Sequence, residues 1–190
     1  MSKSSGMQGG VGPEDSHPIF KTDGFDDIDE ASIHGAYIGG LAGVYEDAGI
    51  ATSYKRAAEM LLGRALADEC VHEVVLPVLF LYRHALELRL KFAVRPVEPD
   101  HNLGGLARAL DGLLATKRGA GLPETVLKRI EEIAAFDPRA DGFRFTRKWK
   151  KGSTGDRHFA EEVWVNLVYL RTEMSRIDDE LCAAAAVLWP

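Results

Sequence analysis

Residues 74–95 read VVLPVLFLYRHALELRLKFAVR. Up to Tyr82 this stretch is apolar on every side, the pattern of a helix surrounded by other elements rather than lying on a surface. From Arg83 onward a polar set appears among the leucines: Arg83, His84, Glu87, Lys91 and Arg95. At about 100° per residue these five fall within an arc of roughly 120°, and Ala85, Leu86, Leu88, Leu90 and Phe92 take the remainder. A central helix carrying one charged stripe is therefore expected, with the rest of the chain packed around it. The stripe has two readings. Either Arg83 pairs with Glu87 and Glu87 with Lys91 on a solvent face, or the stripe lines a polar pocket.

Working outward, helical periodicity recurs. Tyr54, Ala57, Ala58, Leu61, Ala65 and Leu66 form an amphipathic stripe with Ser53 placed to cap it. Pro77 predicts that the central helix starts just before it or bends there. Pro96 and Pro99 make the following segment a connector, and Asp100 or Asn102 can cap a helix over Leu103, Leu106, Leu110 and Leu113. Pro123 suits the first turn of a helix over 124–136. Asp137, Pro138, Asp141 and Gly142 signal turns, and residues 143–163 predict a loop or irregular hairpin. Val163, Leu167, Leu170, Met174, Ile177, Leu181, Ala184 and Leu188 then alternate spacings of four and three, the seam of a bundle helix or of a dimer.

Upstream, residues 1–20 are rich in Gly and Ser and predict a disordered leader, leaving 21–190 as one domain. A weaker helix is expected over Ile33, Tyr37, Leu41 and Val44, where Gly35, Gly39 and Gly43 recur every four residues. The expected fold is all-α: five or six helices with an irregular basic loop before the last.

Composition narrows the function. A net charge of −6 excludes a protein whose whole surface binds nucleic acid, so any phosphate contact must be local. One local patch exists. Between 139 and 158, Arg139, Arg144, Arg147, Lys148, Lys150, Lys151 and Arg157 face only Asp141 and Asp156, with Phe143, Phe145, Trp149 and Phe159 interleaved. Cations can hold a phosphate backbone while rings stack on unpaired bases, so Arg147, Lys148, Trp149, Lys150 and Lys151 are expected nucleic-acid contacts. The bland alternative is a solvated loop anchored by its aromatics.

Cys70 and Cys182 stand apart in apolar helical contexts and read as small core residues of a reducing, cytoplasmic compartment. No signal pattern, membrane span, phosphate loop, serine elbow or paired metal-ligand histidines are found, and neither metal nor cofactor is expected.

The run LYRHALELRLK at 81–91, His101-Asn102-Leu103, Asp137-Pro138 with Gly142-Phe143-Arg144-Phe145, and Val165-Asn166-Leu167 together resemble a group of bacterial helical proteins similar to HEPN-type domains. The resemblance spans 54–181 in order. It implies a helical bundle with an RNA- or nucleotide-related role in phage defence or a toxin–antitoxin pair, and it maps the recurring polar positions to Arg83, His84, Glu87, Lys91, His101 and Arg144. Active HEPN ribonucleases carry Arg followed within about two helical turns by His on a late helix. The last helix here has Arg171 and Arg176 but no His.

Three functions follow as expectations. The first is binding of RNA or a nucleotide, with Lys91, His101 and Arg144 as ligand contacts. The second is a metal-independent ribonuclease or phosphotransfer toxin in which His84 is the general acid/base, supported by Arg83 and Glu87. The third is a non-catalytic module that pairs with itself or another protein through the last helix.

Overall fold

The periodic stretches become five helices among the described residues: α1 (Asp47–Ala67), α2 (Val71–Val94), α3 (Leu103–Arg118), α4 (Glu124–Phe136) and α5 (Leu167–Leu188). One antiparallel hairpin, β1 (Arg147–Lys150) and β2 (Ser153–Arg157), stands before α5. These elements come from a computed structural model that describes residues 47–96, 101–151 and 153–190. The expected leader, the glycine-spaced first helix and most of the Pro96–Asp100 connector lie outside the described residues. The fold is an all-α bundle, as the periodicity predicts.

α2 is the central helix and packs against α1, α3 and α5. Val78, Tyr82, Leu86 and Leu90 recur every four residues along it, and each is at most 3% exposed. They meet Leu62 of α1, Leu103, Leu110 and Leu114 of α3, Ile130 of α4, and Ile177 and Leu181 of α5 in one continuous core. Burying side chains of this size stabilises by about 1.5–3 kcal/mol each.

Helix ends follow their capping residues. The Gly105 N–H donates to Asn102 Oδ1 at 3.0 Å and the Tyr169 N–H to Asn166 Oδ1 at 3.0 Å, starting α3 and α5. Gly119, at φ +76°, closes α3 in the left-handed conformation that glycine adopts without strain. Pro123 stands immediately before α4.

Three local expectations are corrected, as is one of the two readings of Pro77. Ser53 does not cap α1. The helix already runs from Asp47, and the Ser53 hydroxyl donates back to the Gly49 carbonyl at 3.1 Å. α2 begins at Val71 and continues through Pro77, which is exposed, as is Glu73, whose carbonyl loses its partner and lies within reach of water. α5 starts at Leu167 rather than Val163, because Asn166 takes the cap and leaves Val163 and Trp164 in irregular chain, 47% and 84% exposed. Cys182 is exposed rather than in the core, while Cys70 is partly buried.

The α5 seam faces inward, with Met174, Ile177, Leu181 and Ala184 all buried in the bundle. Val168 and Tyr169 are the large apolar residues of that helix left exposed. Among the described residues, no helix is long and apolar enough to cross a membrane, and no group of His, Cys, Asp and Glu is placed to hold a metal ion.

Candidate functional site

Most of the α2 stripe does not face water. Arg83 and Glu87 are each 2% exposed, one turn apart on the buried side of the helix. The Arg83 guanidinium has all its donor nitrogens engaged. Nη1 donates to Glu87 Oε2 at 2.9 Å, Nη2 to the His101 carbonyl at 2.9 Å, and Nε to the Asp137 carbonyl at 3.2 Å. Asp137 Oδ2 also lies 3.1 Å from Nε, an ion pair by distance without hydrogen-bond geometry, because the N–H is directed at the carbonyl.

One side chain thus ties α2 to the connector before α3 and to the turn after α4. Asp137 is fully buried, and its Oδ1 accepts the N–H groups of Asp141 and Gly142 at 2.9 and 2.8 Å. A turn residue in the sequence is the Arg83 counter-ion in the fold. Nothing in the local sequence separates it from any other Asp-Pro turn.

The other oxygen of Glu87 faces outward. Oε1 accepts from Lys91 Nζ at 2.7 Å and lies 2.7 Å from His101 Nδ1. Burial alone would raise the Glu87 carboxyl, but the hydrogen bonds from Lys91, Arg83 and His101 outweigh it and hold the group below the usual carboxylate range. Glu87 is therefore an anion. An anionic carboxylate only accepts, so Nδ1 of His101 donates to it. The His101 side chain is 66% exposed.

His84 takes a different setting. Its ring lies edge-on to Tyr54 of α1, with centroids 4.5 Å apart, and stacks on Phe80 at 5.8 Å. Burial lowers its pKa most, and Arg83, Lys91 and His101 lower it further against the opposing pull of Glu87. His84 is thus a neutral imidazole held between aromatics at neutral pH. Arg144 reaches the same cluster, its guanidinium 5.7 Å from the Phe80 ring and 5.1 Å from the Phe145 ring.

The structure therefore brings Arg83, Glu87, Lys91 and His101 into one bonded network, and places both His84 and Arg144 near Phe80. Arg95 leaves the stripe. It ends α2 at φ +51°, and its guanidinium sits 3.9 Å over the Trp189 ring.

The basic segment forms a separate exposed element. Arg147 lies opposite Arg157 across the hairpin, and Trp149 opposite Thr154. Two residues of β2 lie between these pairs against one of β1, a bulge that sharpens the local twist. Gly155 sits at the bulge, where an added Cβ would overlap the Lys148 carbonyl oxygen. Arg144, Lys148, Lys151 and Arg157 are exposed and form no ion pair among the described residues, as is also the case for Arg56, Lys117 and Arg118. The side chains of Trp149 and Lys150 lie outside those described.

The hairpin base is tied to the Asp137 turn. The His158 N–H donates to the Thr146 carbonyl at 3.2 Å, and the His158 ring packs beside Gly142 with Nδ1 3.8 Å from Asp141 Oδ1. A continuous chain of contacts thus runs from Glu87 through Arg83 and Asp137 to the hairpin.

Two features escape the periodicity analysis. Arg89 is 6% exposed and joins α2 to α5 and α1, donating to Asp178 Oδ1 at 2.8 Å and to the Thr52 hydroxyl at 2.9 Å. An apolar cavity of about 440 Å³ opens between α2, α4, α5 and the chain before α5, lined by Val75, Leu79, Ile133, Phe136, Trp164 and Tyr169 among others. Of the expected site residues only Arg83 reaches it. No motif or periodic pattern in the sequence marked it.

Comparisons with protein families, with characterised proteins and with solved structures return no match for this chain.

Proposed function

We propose that this protein binds a phosphate-bearing ligand, an RNA or a nucleotide, through the hairpin and the adjoining Arg144. The observation that carries the reading is the cross-strand placement of Arg147 opposite Arg157. Like charges directly opposite each other destabilise a strand pair, so a free hairpin holds this arrangement at a disadvantage that a bound anion removes. Arg144, Lys148 and Lys151 add exposed cations around it without carboxylate partners among the described residues. Phe145, 53% exposed beside the Arg144 guanidinium, offers a ring on which an unpaired base can stack. In a chain of net charge −6, that concentration of cations supports a local rather than a general affinity for phosphates. The HEPN-like resemblance supports a role for such binding in phage defence or a toxin–antitoxin pair.

The test is a titration with single-stranded RNA and with nucleotides at low and at physiological salt, for the wild type, Arg144→Ala with Lys148→Ala, and Arg147→Ala with Arg157→Ala. Expected are a steep loss of wild-type affinity with salt and weaker, less salt-sensitive binding in both double variants. Equal affinity in all three proteins, or no binding even at low salt, overturns the reading.

A further inference from the structure

We infer that the hollow between α2, α4, α5 and the chain before α5 is a binding site for a small, neutral, aromatic molecule. Nothing in it depends on phosphate binding at the hairpin.

Size and depth point to a small molecule. The hollow holds about 440 Å³, inside the range of about 300–1,000 Å³ typical of small-molecule pockets. Close-packed interiors leave few voids larger than a water molecule. Here the hollow reaches Tyr82, Met174 and Ile177, three residues of the bundle core that are each at most 3% exposed. A shallow apolar face would end on partly exposed side chains, whereas this one runs from solvent to the core.

Its lining decides the kind of molecule. Rings come from every element around it: Tyr82 of α2, Phe136 at the end of α4, Phe143 and Phe159 flanking the hairpin, and Trp164 and Tyr169 around the start of α5. Phe143 and Phe159 are stacked, their centroids 6.0 Å apart and their planes 19° from parallel. Ring pairs gain from stacked or edge-on packing beyond the area they bury, so a flat ring system gains more here than an alkyl chain of equal volume. Trp164, Phe136 and Tyr169 are the large exposed side chains that such a molecule would cover.

The charged groups of the lining are spent on one another. Arg129 donates to Glu132 at 2.6 Å, to Glu173 at 3.3 Å and to the Tyr169 hydroxyl at 2.8 Å, and Arg176 donates to Glu173 at 2.7 Å. Two arginines thus balance two glutamates. Arg83 is held by Glu87 and Asp137. A charged ligand would leave water without an unpaired counter-ion to receive it, which selects for a neutral one.

The experiment titrates the full chain with N-phenylnaphthylamine, a neutral dye that brightens on leaving water, and with anilinonaphthalene sulfonate, the same ring system carrying an anion. The proteins are the wild type, Val75→Trp, which adds an indole from the α2 wall, Trp164→Ser, and Met60→Ser, which removes an exposed side chain that does not line the hollow. Expected is saturable binding of one neutral dye per wild-type chain, with the sulfonate weaker by roughly tenfold or more. Neutral-dye affinity falls at least as far in Val75→Trp, falls several-fold in Trp164→Ser and is unchanged in Met60→Ser. Trp164 is 84% exposed, so its variant keeps the wild-type melting midpoint and carries the test if Val75→Trp does not fold. No saturable binding, unchanged affinity in either folded cavity variant, an equal loss in Met60→Ser, or sulfonate bound as tightly as the neutral dye overturns the inference. Sedimentation of the same proteins adds one more outcome: a wild-type dimer that Trp164→Ser dissociates assigns this face to a second copy of the chain and overturns the small-molecule site.

Discussion

Glu87 and His101 lie fourteen positions apart in the chain, on α2 and just before α3, yet their side chains meet at 2.7 Å, one buried and the other two-thirds exposed. The contact depends on Arg83, which grips both residues, and on Asp137, which grips Arg83 in turn. The polar stripe of the central helix is therefore a junction inside the bundle with one outward-facing member.

Arg83→Met tests that junction. Removing one member of a buried ion pair leaves Asp137 without its ion-pair partner and Glu87 with only Lys91 and His101 on its outward oxygen. The expected loss is about 3–5 kcal/mol, measured by urea or thermal unfolding. A loss no greater than that of an exposed Arg108→Met would show that the network is not holding the fold.

The pH dependence of stability carries a definite sign. The folded Glu87 carboxyl lies below its ordinary value, because its donors outweigh burial, so the unfolded chain takes up this proton first as the pH falls. The contribution of this group is fully present above the unfolded carboxylate value and is lost as the pH drops through the lower folded one. Melting midpoints should fall through the acid range, and less steeply in Glu87→Gln. Parallel curves for the two proteins would refute the assignment.

Replacing one arginine of the cross-strand pair by glutamate, Arg157→Glu, turns a repulsive pair into an attractive one. The hairpin should be held at least as firmly, while RNA affinity falls and the dependence of log affinity on log salt becomes shallower by roughly one to two units. Unchanged RNA binding in this variant would move the ligand away from the hairpin.

Gly155→Ala separates the hairpin from the bundle. Its Cβ would overlap the Lys148 carbonyl, so the bulge must open, whereas the core from Leu62 to Leu181 contains no hairpin residue. RNA affinity should drop with the thermal midpoint nearly unchanged. A large drop in midpoint would mean that the hairpin and the bundle unfold as one unit.

Much of the fold is legible in the chain because it rests on local rules. The spacing of Leu103, Leu106 and Leu110, the cap at Asn102 and the proline before Glu124 each act within a few residues, and the helices form where those signals stand. Ser53, and Pro77 read as a helix start, mislead for a related reason. A cap residue inside a longer helical stretch bonds back to the preceding turn, and an exposed proline is tolerated where packing on the opposite face holds the helix. Legibility falls at the site. Arg83, Glu87, Lys91 and His101 stand out as polar residues near one another in sequence, but their roles do not.

What the sequence by itself determined is the helical order, the central position of α2, the cap before α3 and the basic character of the segment before α5, all of them consequences of local pattern and composition. Only the tertiary structure decided which face of the stripe is buried, that Asp137 pairs with Arg83 across fifty-four positions, and that His101 stands exposed on Glu87 while His84 packs against Tyr54 and Phe80. The physical reason is that burial and ion pairing depend on which helices meet. A carboxylate chooses its partners by distance in space, and a linear pattern carries no measure of that.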